Sequence, residues 1–288
     1  FLHVEGERAL LQAIQNCYAS LFNDRAISYR QHQGFAHRDV ALSVGVQEMV
    51  RSDLASAGVM FTLDTETGFR DVVLLTAAYG LGENVVQGAV NPDEWLIHKP
   101  TLEKGFAPII GRRLGSKALR LAYGASQGGE RRAVHNEPVS VEDQRRFAIS
   151  DGEALTLARW ACLTERHYSQ IRGMATPMDL EWAKDGLSGE LFLLQARPET
   201  VESRRSGAVL RSWHLPSHGE EPIVTGRAIG ASVGRGSARV ILDPSEIGRF
   251  ESGELLVTRR TDPDWEPILK KAGGVITDQG GQIGRAHV

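Results

Sequence analysis

Residues 178–198 read MDLEWAKDGLSGELFLLQARP, and this stretch decides the fold of the surrounding domain. Two runs of strand-forming residues, Met178–Trp182 and Leu191–Ala196, flank the turn sequence Lys184-Asp185-Gly186. A short turn of this composition between two such runs is typical of antiparallel strands. The stretch therefore predicts a β-hairpin.

The predicted hairpin separates polar from apolar side chains. Because side chains alternate between the two faces of a strand, Asp179 and Glu181 share one face, as do Gln195 and Arg197. If the strands pair as the turn suggests, two acids, an amide and a guanidinium converge. The opposite faces would carry the apolar side chains, namely Met178, Leu180 and Trp182 on the first strand and Phe192, Leu194 and Ala196 on the second.

This set of polar groups suits a metal–triphosphate complex. Mg²⁺ takes carboxylate oxygens together with the phosphate oxygens of a substrate. Arginine stabilises the charge that builds on a transferred phosphoryl group. The alternative is an exposed hairpin whose acids and arginine form weak surface ion pairs. The spacing of the residues alone leaves both interpretations open.

Helix and strand patterns surround the hairpin. Residues 7–22 place apolar side chains at three- and four-residue steps, which indicates an amphipathic helix. Ser150 and Glu153 resemble a capping box that opens a helix running to about Gln170. Up to about residue 200 the pattern predicts a mixed α+β domain with antiparallel strands. The other predicted strands are Ala41–Val50, Val59–Thr62, Val72–Tyr79 and Glu94–His98, with a turn at Asp64–Gly68.

A second unit follows a polar segment. Residues 203–221 are rich in Arg, Ser, Gly and His, which is typical of a linker. Beyond them, closely spaced glycines precede three short strand patterns, Ala238–Ile241, Glu254–Thr258 and Gly274–Thr277. This second unit is predicted to be β-rich with glycine turns.

Composition limits the class of protein. The 288 residues suffice for two modest domains, and the net charge of −3 gives no basic face for nucleic acid. No stretch approaches the roughly 20 apolar residues that cross a bilayer, and the start lacks a signal-peptide pattern. Cys17 and Cys162 are predicted to be reduced, buried thiols of a cytoplasmic protein. The first residue is not Met, which suggests an absent upstream portion.

Several longer motifs carry a family resemblance. They are QEMVRSD at 47–53, SAGVMFT at 56–62, YGLGE at 79–83, VNPDE at 90–94, DLEW at 179–182 and LQARPET at 194–200. Together they resemble the phosphoenolpyruvate synthase (pyruvate, water dikinase) family, with similarity running from residue 1 to about 281. The resemblance implies an α+β fold: an incomplete ATP-grasp-type nucleotide domain at 1–202, a linker at 203–221 and a truncated β/β/α swivelling domain at 222–281.

The resemblance also implies roles for individual residues. Gln47 would lie at the adenine end of ATP, while Glu181, Gln195 and Arg197 would hold the phosphates and Mg²⁺. Asp179 would support them as a second metal ligand.

Other residues near these motifs have less defined roles. Glu83 and Lys117 would lie next to the site at most, and Lys117 is alternatively a solvated lysine at a helix start. The family also uses a lysine and an arginine from a subdomain that precedes Phe1 here. The chain by itself is therefore predicted to bind ATP poorly.

The implied reaction converts pyruvate, ATP and water to phosphoenolpyruvate, AMP and phosphate through a phosphohistidine intermediate. Pyruvate would bind only to a C-terminal barrel that this sequence lacks, and a homodimeric parent enzyme is compatible with the resemblance. Two alternatives stay open. One is a related dikinase that phosphorylates another acceptor, such as an antibiotic hydroxyl or a glucan. The other is a non-catalytic ATP-binding remnant.

The phosphohistidine motif is incomplete. The family pattern is Thr-x-x-Gly-Gly-x-Thr-x-His, in which the histidine accepts the phosphoryl group. Thr277, Gly280 and Gly281 fit this pattern, but Ile283 stands at the second threonine and Arg285 at the histidine. The arginine cannot lose its proton and so cannot act as the nucleophile.

The tail has its own interpretation. His287 lies two positions late, which on a helix turns it about 200° from the required face. Residues 283–288 read IGRAHV, which is a translation of a common sequencing adapter, so residues 282–288 are interpreted as non-native. A degenerate domain is the alternative.

Overall fold

The computed structural model describes residues 1–124, 134–200, 213–214, 221–226, 228, 232–261 and 265–278. The chain divides into a first unit, Phe1–Val50 with Tyr123–Val134, and a second unit, Arg51–Ala122 with His135–Val288. In the part of the chain that is described, no helix is both long and apolar enough to cross a membrane. Most of the predicted linker and all of the predicted non-native tail lie outside the described residues.

Two helices are the main elements of the first unit. The predicted helix at 7–22 is confirmed as α1, Glu7–Ala19, but its last turn, Ser20–Phe22, is a 3₁₀ turn. A second helix, α2, spans Asp24–Gln33 and was not expected from the apolar spacing. It has standard end signals, because the Asn23 side chain accepts a first-turn N–H and Gly34 ends it in the left-handed conformation.

The predicted strand at Ala41–Val50 is wrong. Residues 40–50 form neither helix nor strand, and no side chain in 41–50 is buried. Strand propensity mainly reports how well a side chain fits a half-buried pleated surface. It therefore predicts little for a segment whose side chains are not buried.

A six-stranded sheet is the centre of the second unit. The strands are β1 Ser56–Phe61, β2 Val72–Tyr79, β3 Asp93–His98, β4 Ile109–Arg113, β7 Met178–Lys184 and β8 Leu191–Pro198. Their spatial order is β4-β3-β2-β1-β7-β8, and every neighbouring pair is antiparallel. The predicted strands of this domain other than 41–50 are confirmed, as is the turn after β1, where Gly68 has φ 72°.

One long helix covers one face of this sheet. α6, Asp151–Arg172, begins at the predicted capping box of Ser150 and Glu153 and ends at Gly173 in the left-handed conformation. Its apolar stripe buries Ala154, Leu157, Ala158 and Ala161. These side chains pack in one cluster with Met60, Leu75, Trp95, Met178, Leu180 and Trp182 of the sheet.

The opposite face of the sheet has a smaller apolar cluster. It joins Val59, Phe61, Leu74 and Ala78 to Val85 and Val90. The remaining elements here are the short helices α3 Glu83–Val86, α4 Lys99–Glu103 and α5 Val141–Gln144, and the paired strands β5 Leu119–Tyr123 and β6 Val134–Pro138.

A separate three-stranded sheet confirms the three later strand predictions. β9 Ala238–Val240, β10 Leu255–Thr258 and β11 Gly274–Thr277 are parallel, in the order β11-β10-β9, and α7 spans Glu266–Leu269. Ile241, Phe250, Leu256, Trp265 and Ile268 form its core.

The position just before β9 has no room for a side chain. A Cβ on Gly236 would lie 2.2 Å from the carbonyl oxygen of Gly253, so a larger residue would force the backbones apart.

Candidate functional site

The β7–β8 hairpin is confirmed, but its loop is longer than the predicted turn. The strands end at Lys184 and resume at Leu191. Asp185 organises the loop, because its carboxylate accepts the N–H groups of Leu187 (2.8 Å) and Ser188 (2.9 Å). An Asp whose carboxylate accepts backbone N–H groups two and three residues ahead is common in loops, and this loop replaces the short turn expected at Lys184-Asp185-Gly186.

The four polar side chains of the hairpin are brought together as the sequence predicted. Asp179 lies opposite Arg197, and Glu181 lies opposite Gln195. Nε and Nη2 of Arg197 lie 2.8 and 2.7 Å from the Asp179 carboxylate oxygen Oδ2. Asp179 is buried, whereas the arginine side chain is 47% exposed and therefore open to a ligand from solvent.

A β-bulge corrects one part of the facial prediction. The register shifts between Glu181 and Trp182, so Trp182 pairs with Leu193 and Ala183 with Phe192. Residues directly opposite share a face, so Phe192 lies on the polar face rather than the apolar one. Phe192 is 39% exposed on this face.

Glu181 is the electrostatically unusual member of the set. Burial raises the pKa of its carboxyl, the negative charge of Asp179 raises it further, and Arg197 opposes both effects. Among the described residues, no group donates a hydrogen bond to this carboxylate. A half-buried carboxylate without a donor gains most from a cation, because a positive charge favours its ionised form.

The donor set fits a magnesium ion whose remaining coordination sites are filled by a substrate. Asp179 and Glu181 are two hard oxygen donors on one strand face, and the described residues contain no cluster of three or more metal-ligating side chains. Mg²⁺ is usually held by one or two carboxylates plus phosphate oxygens rather than by a full protein cage.

Two other predicted residues lie elsewhere. Gln47 belongs to the first unit, where it is exposed in a segment without helix or strand. Glu83 is the exposed first residue of α3, and its carboxylate accepts a hydrogen bond from Gln87 at 2.7 Å. Neither position assigns a role by itself.

Lys117 is not the solvated helix-start lysine of the sequence alternative. Its side chain is 0% exposed, in a loop, and its Nζ lies 2.5 Å from Oδ1 of the equally buried Asp93. Nζ also donates to the carbonyl oxygen of Gly115 at 2.9 Å, and the second Asp93 oxygen accepts the N–H of Ala148 at 2.7 Å. The pair therefore joins β3 to two loops inside the protein, and spacing along the sequence gave no sign of it.

Only the start of the predicted phosphohistidine motif is described. Thr277 is the exposed last residue of β11. Gly280, Gly281, Ile283, Arg285 and His287 all lie outside the described residues.

Family models match both parts of the chain. The model described as pyruvate phosphate dikinase, AMP/ATP-binding domain, matches residues 1–212, which include the hairpin. The model described as PEP-utilising enzyme, mobile domain, matches residues 250–288, which include the strands β10 and β11.

Curated relatives match the whole chain. A phosphoenolpyruvate synthase of Synechocystis sp. is 54% identical over 288 residues, which are 100% of this chain and 35% of the relative. Those of Escherichia coli and Aquifex aeolicus are 52% and 51% identical, again over 100% of this chain and over 35% and 34% of the relatives. The chain thus spans about a third of the length of these relatives.

Proposed function

Since the chain belongs to the pyruvate phosphate dikinase AMP/ATP-binding domain family, we propose that it is the ATP-binding part of a phosphoenolpyruvate synthase. The complete enzyme would convert pyruvate, ATP and water to phosphoenolpyruvate, AMP and phosphate. In this proposal residues 1–202 form an ATP-grasp-type nucleotide domain and residues 222–281 the beginning of a swivelling phosphohistidine domain. The protein would be cytoplasmic.

The hairpin is the observation that supports this proposal most directly. Glu181 and Asp179 would hold Mg²⁺, while Gln195 and the exposed end of Arg197 would bind phosphate oxygens. When bound, the ion would neutralise part of the negative charge of the phosphates. Arg197 would exchange part of its pairing with Asp179 for the phosphates, since a guanidinium binds either anion in the same planar geometry.

Gln47 is also proposed as an ATP-binding residue. The family implies that it lies at the adenine end, and a glutamine amide carries both a donor and an acceptor for a purine edge. Pyruvate would bind outside this chain, and a homodimeric parent enzyme is part of the same proposal.

The test is Mg²⁺·ATP binding to the chain, measured by isothermal titration calorimetry. We expect Glu181→Gln and Arg197→Ala to weaken binding at least tenfold, in line with the roughly 10- to 100-fold losses seen around metal sites. Glu190→Gln is the matched control, because Glu190 is an exposed glutamate of the same hairpin outside the polar set. Equal affinities for the unaltered chain, E181Q and R197A would contradict the proposal.

A further inference from the structure

The hairpin loop is tied to the segment that opens the second unit. The N–H of Arg51 donates to Oδ2 of Asp185 at 3.0 Å, and the N–H of Gly186 donates to the carbonyl oxygen of Arg51 at 3.1 Å. Both backbone polar groups of Arg51 are thus bonded to the loop. Hydrogen bonds from Ser188, Arg51 and Leu187 lower the pKa of the Asp185 carboxyl, so the acceptor is ionised at neutral pH.

The approach of the two segments is close enough to require glycine. A Cβ on Gly186 would lie 2.4 Å from Cβ of Leu54 and 2.8 Å from the Leu54 backbone carbon. A side chain at residue 186 would therefore push the loop away from residues 51–54.

Arg51 is itself held in place. Its Nε and Nη2 bind the two carboxylate oxygens of Asp53 at 2.9 and 3.0 Å, and Asp53 is buried. The bidentate geometry fixes the side chain and the short 3₁₀ turn Ser52–Leu54 that leads into β1. The loop is therefore bonded to the segment that leads into β1.

The outer strand of the hairpin has one neighbour in the sheet. β8 is the last strand in the order β4-β3-β2-β1-β7-β8, and it pairs with β7. The register between the two strands changes by one residue at Glu181–Trp182, between the loop and the polar pairs. A fixed loop end holds the pairs next to the loop, and the pairing of Gln195 with Glu181 and of Arg197 with Asp179 follows from them along the strands.

We propose that Arg51, Asp185 and Gly186 form a clamp that positions the two strands of the hairpin for Mg²⁺·ATP. They are positioning residues, because their hydrogen bonds and the close approach of Gly186 lie at the loop end of the hairpin. The inference rests on the proposed function of the hairpin. It adds residues beyond the metal- and phosphate-binding set, namely two in the hairpin loop and one in the segment before β1.

The experiment compares ATP affinity with and without Mg²⁺ on the full chain. Asp185→Asn keeps the size of the side chain but removes the negative charge of the acceptor. Gly186→Ala adds a side chain that would push the loop away from residues 51–54. Leu187→Ala is the matched control, since this leucine is 72% exposed in the same loop. Thermal unfolding of each variant verifies that it is folded.

We expect both clamp variants to weaken Mg²⁺·ATP binding about tenfold at an unchanged melting temperature. Metal-free ATP binding should weaken as well, because Gln195 and Arg197 bind phosphate directly in the proposal, and the L187A values should stay unchanged. A purely structural role would lower the affinities only together with the melting temperature, and would overturn the inference. If one clamp variant does not fold, the other decides. Normal Mg²⁺·ATP binding by a folded clamp variant refutes the clamp but leaves the proposed function intact, provided that E181Q is impaired. Weak binding is expected of this chain alone, so the nucleotide is titrated to millimolar concentration. Absence of Mg²⁺·ATP binding even there, or an unimpaired E181Q, overturns both.

Discussion

Glu181 combines burial, a neighbouring negative charge and a missing donor in the described part of the hairpin. Such a carboxylate is costly to the folded protein unless a ligand compensates it, which is the usual condition of a binding group. Its charge is therefore expected to affect both the pH dependence of ligand binding and the stability of the ligand-free chain.

The first prediction concerns pH. Metal binding needs the ionised carboxylate, and the pKa of Glu181 is raised. Mg²⁺·ATP affinity should therefore fall, as the pH is lowered, at a higher pH than for an ordinary glutamate. In the ligand-free chain, the raised pKa means that the folded state binds a proton at Glu181 more tightly than the unfolded state does. The stability contributed by this proton is present at low pH and is lost as the pH rises through the raised pKa. E181Q should thus have a higher melting temperature at pH 7 while it loses the pH-dependent binding step. A lower melting temperature for E181Q would contradict the burial argument.

The second prediction concerns the buried pair Lys117–Asp93. Lys117→Met leaves Asp93 buried without its cation, which typically costs about 3–5 kcal/mol. Burial already raises the pKa of Asp93 against the opposing effect of Lys117, so protonation should relieve part of this loss in the variant. Urea unfolding at pH 7 and pH 5 measures both effects. The exposed Lys104→Met is the control, and an equal loss in the two variants would show that the buried pair is not the cause.

At the scale of elements, α6 packs against the sheet and is also bonded to the first strand of the hairpin. Its capping box begins at Ser150, and Glu153 of the same box also pairs with Lys184 of β7 at 2.6 Å. The start of the helix and the end of the strand are therefore connected by one side chain.

The third prediction tests this helix start. Ser150→Ala should reduce the free energy of unfolding by about 1 kcal/mol, because a first-turn N–H loses its acceptor. Ser150→Asp keeps an acceptor and should stay close to the unaltered chain. Both are measured by urea unfolding, and equal losses in the two variants would mean that capping is not what residue 150 contributes.

Sequence patterns predicted elements well where burial on one face imposed them. The strands β1, β2, β3, β7 and β8 and the helix α6 were confirmed because their apolar residues follow the period of the element, whereas β4 was not predicted. The strand at 41–50 failed because no buried surface lies under it. The bulge that moves Phe192 to the other face was also missed, since one extra residue in a pairing leaves no mark in the alternation.

At the scale of the whole molecule, the two proposed parts differ in how well they fit the expected residues. The hairpin carries Asp179, Glu181, Gln195 and Arg197, whereas arginine stands at position 285, where the phosphohistidine pattern has histidine. The interpretation of residues 282–288 as non-native stays a prediction, because these residues lie outside the described ones.

The fourth prediction follows from Arg285. The chain should form no acid-labile, base-stable phosphoenzyme with radiolabelled ATP, because an arginine cannot act as the nucleophile. A full-length phosphoenolpyruvate synthase under the same conditions is the positive control. Acid-labile label on this chain would show that another histidine, such as His287, accepts the phosphoryl group. Resequencing the source DNA across codons 281–288 separates a native Arg285 from an artefact.

The sequence by itself determined the hairpin, its polar face, the antiparallel sheet and the family. These depend on alternation and on motifs within a few residues, which local chemistry dictates. Only the tertiary structure decided that Lys117 is buried on Asp93, that Glu181 lacks a donor within the described chain, and that Arg51 holds the hairpin loop. These contacts join residues 24 and 134 positions apart, and the burial that makes them matter exists only once the chain is packed.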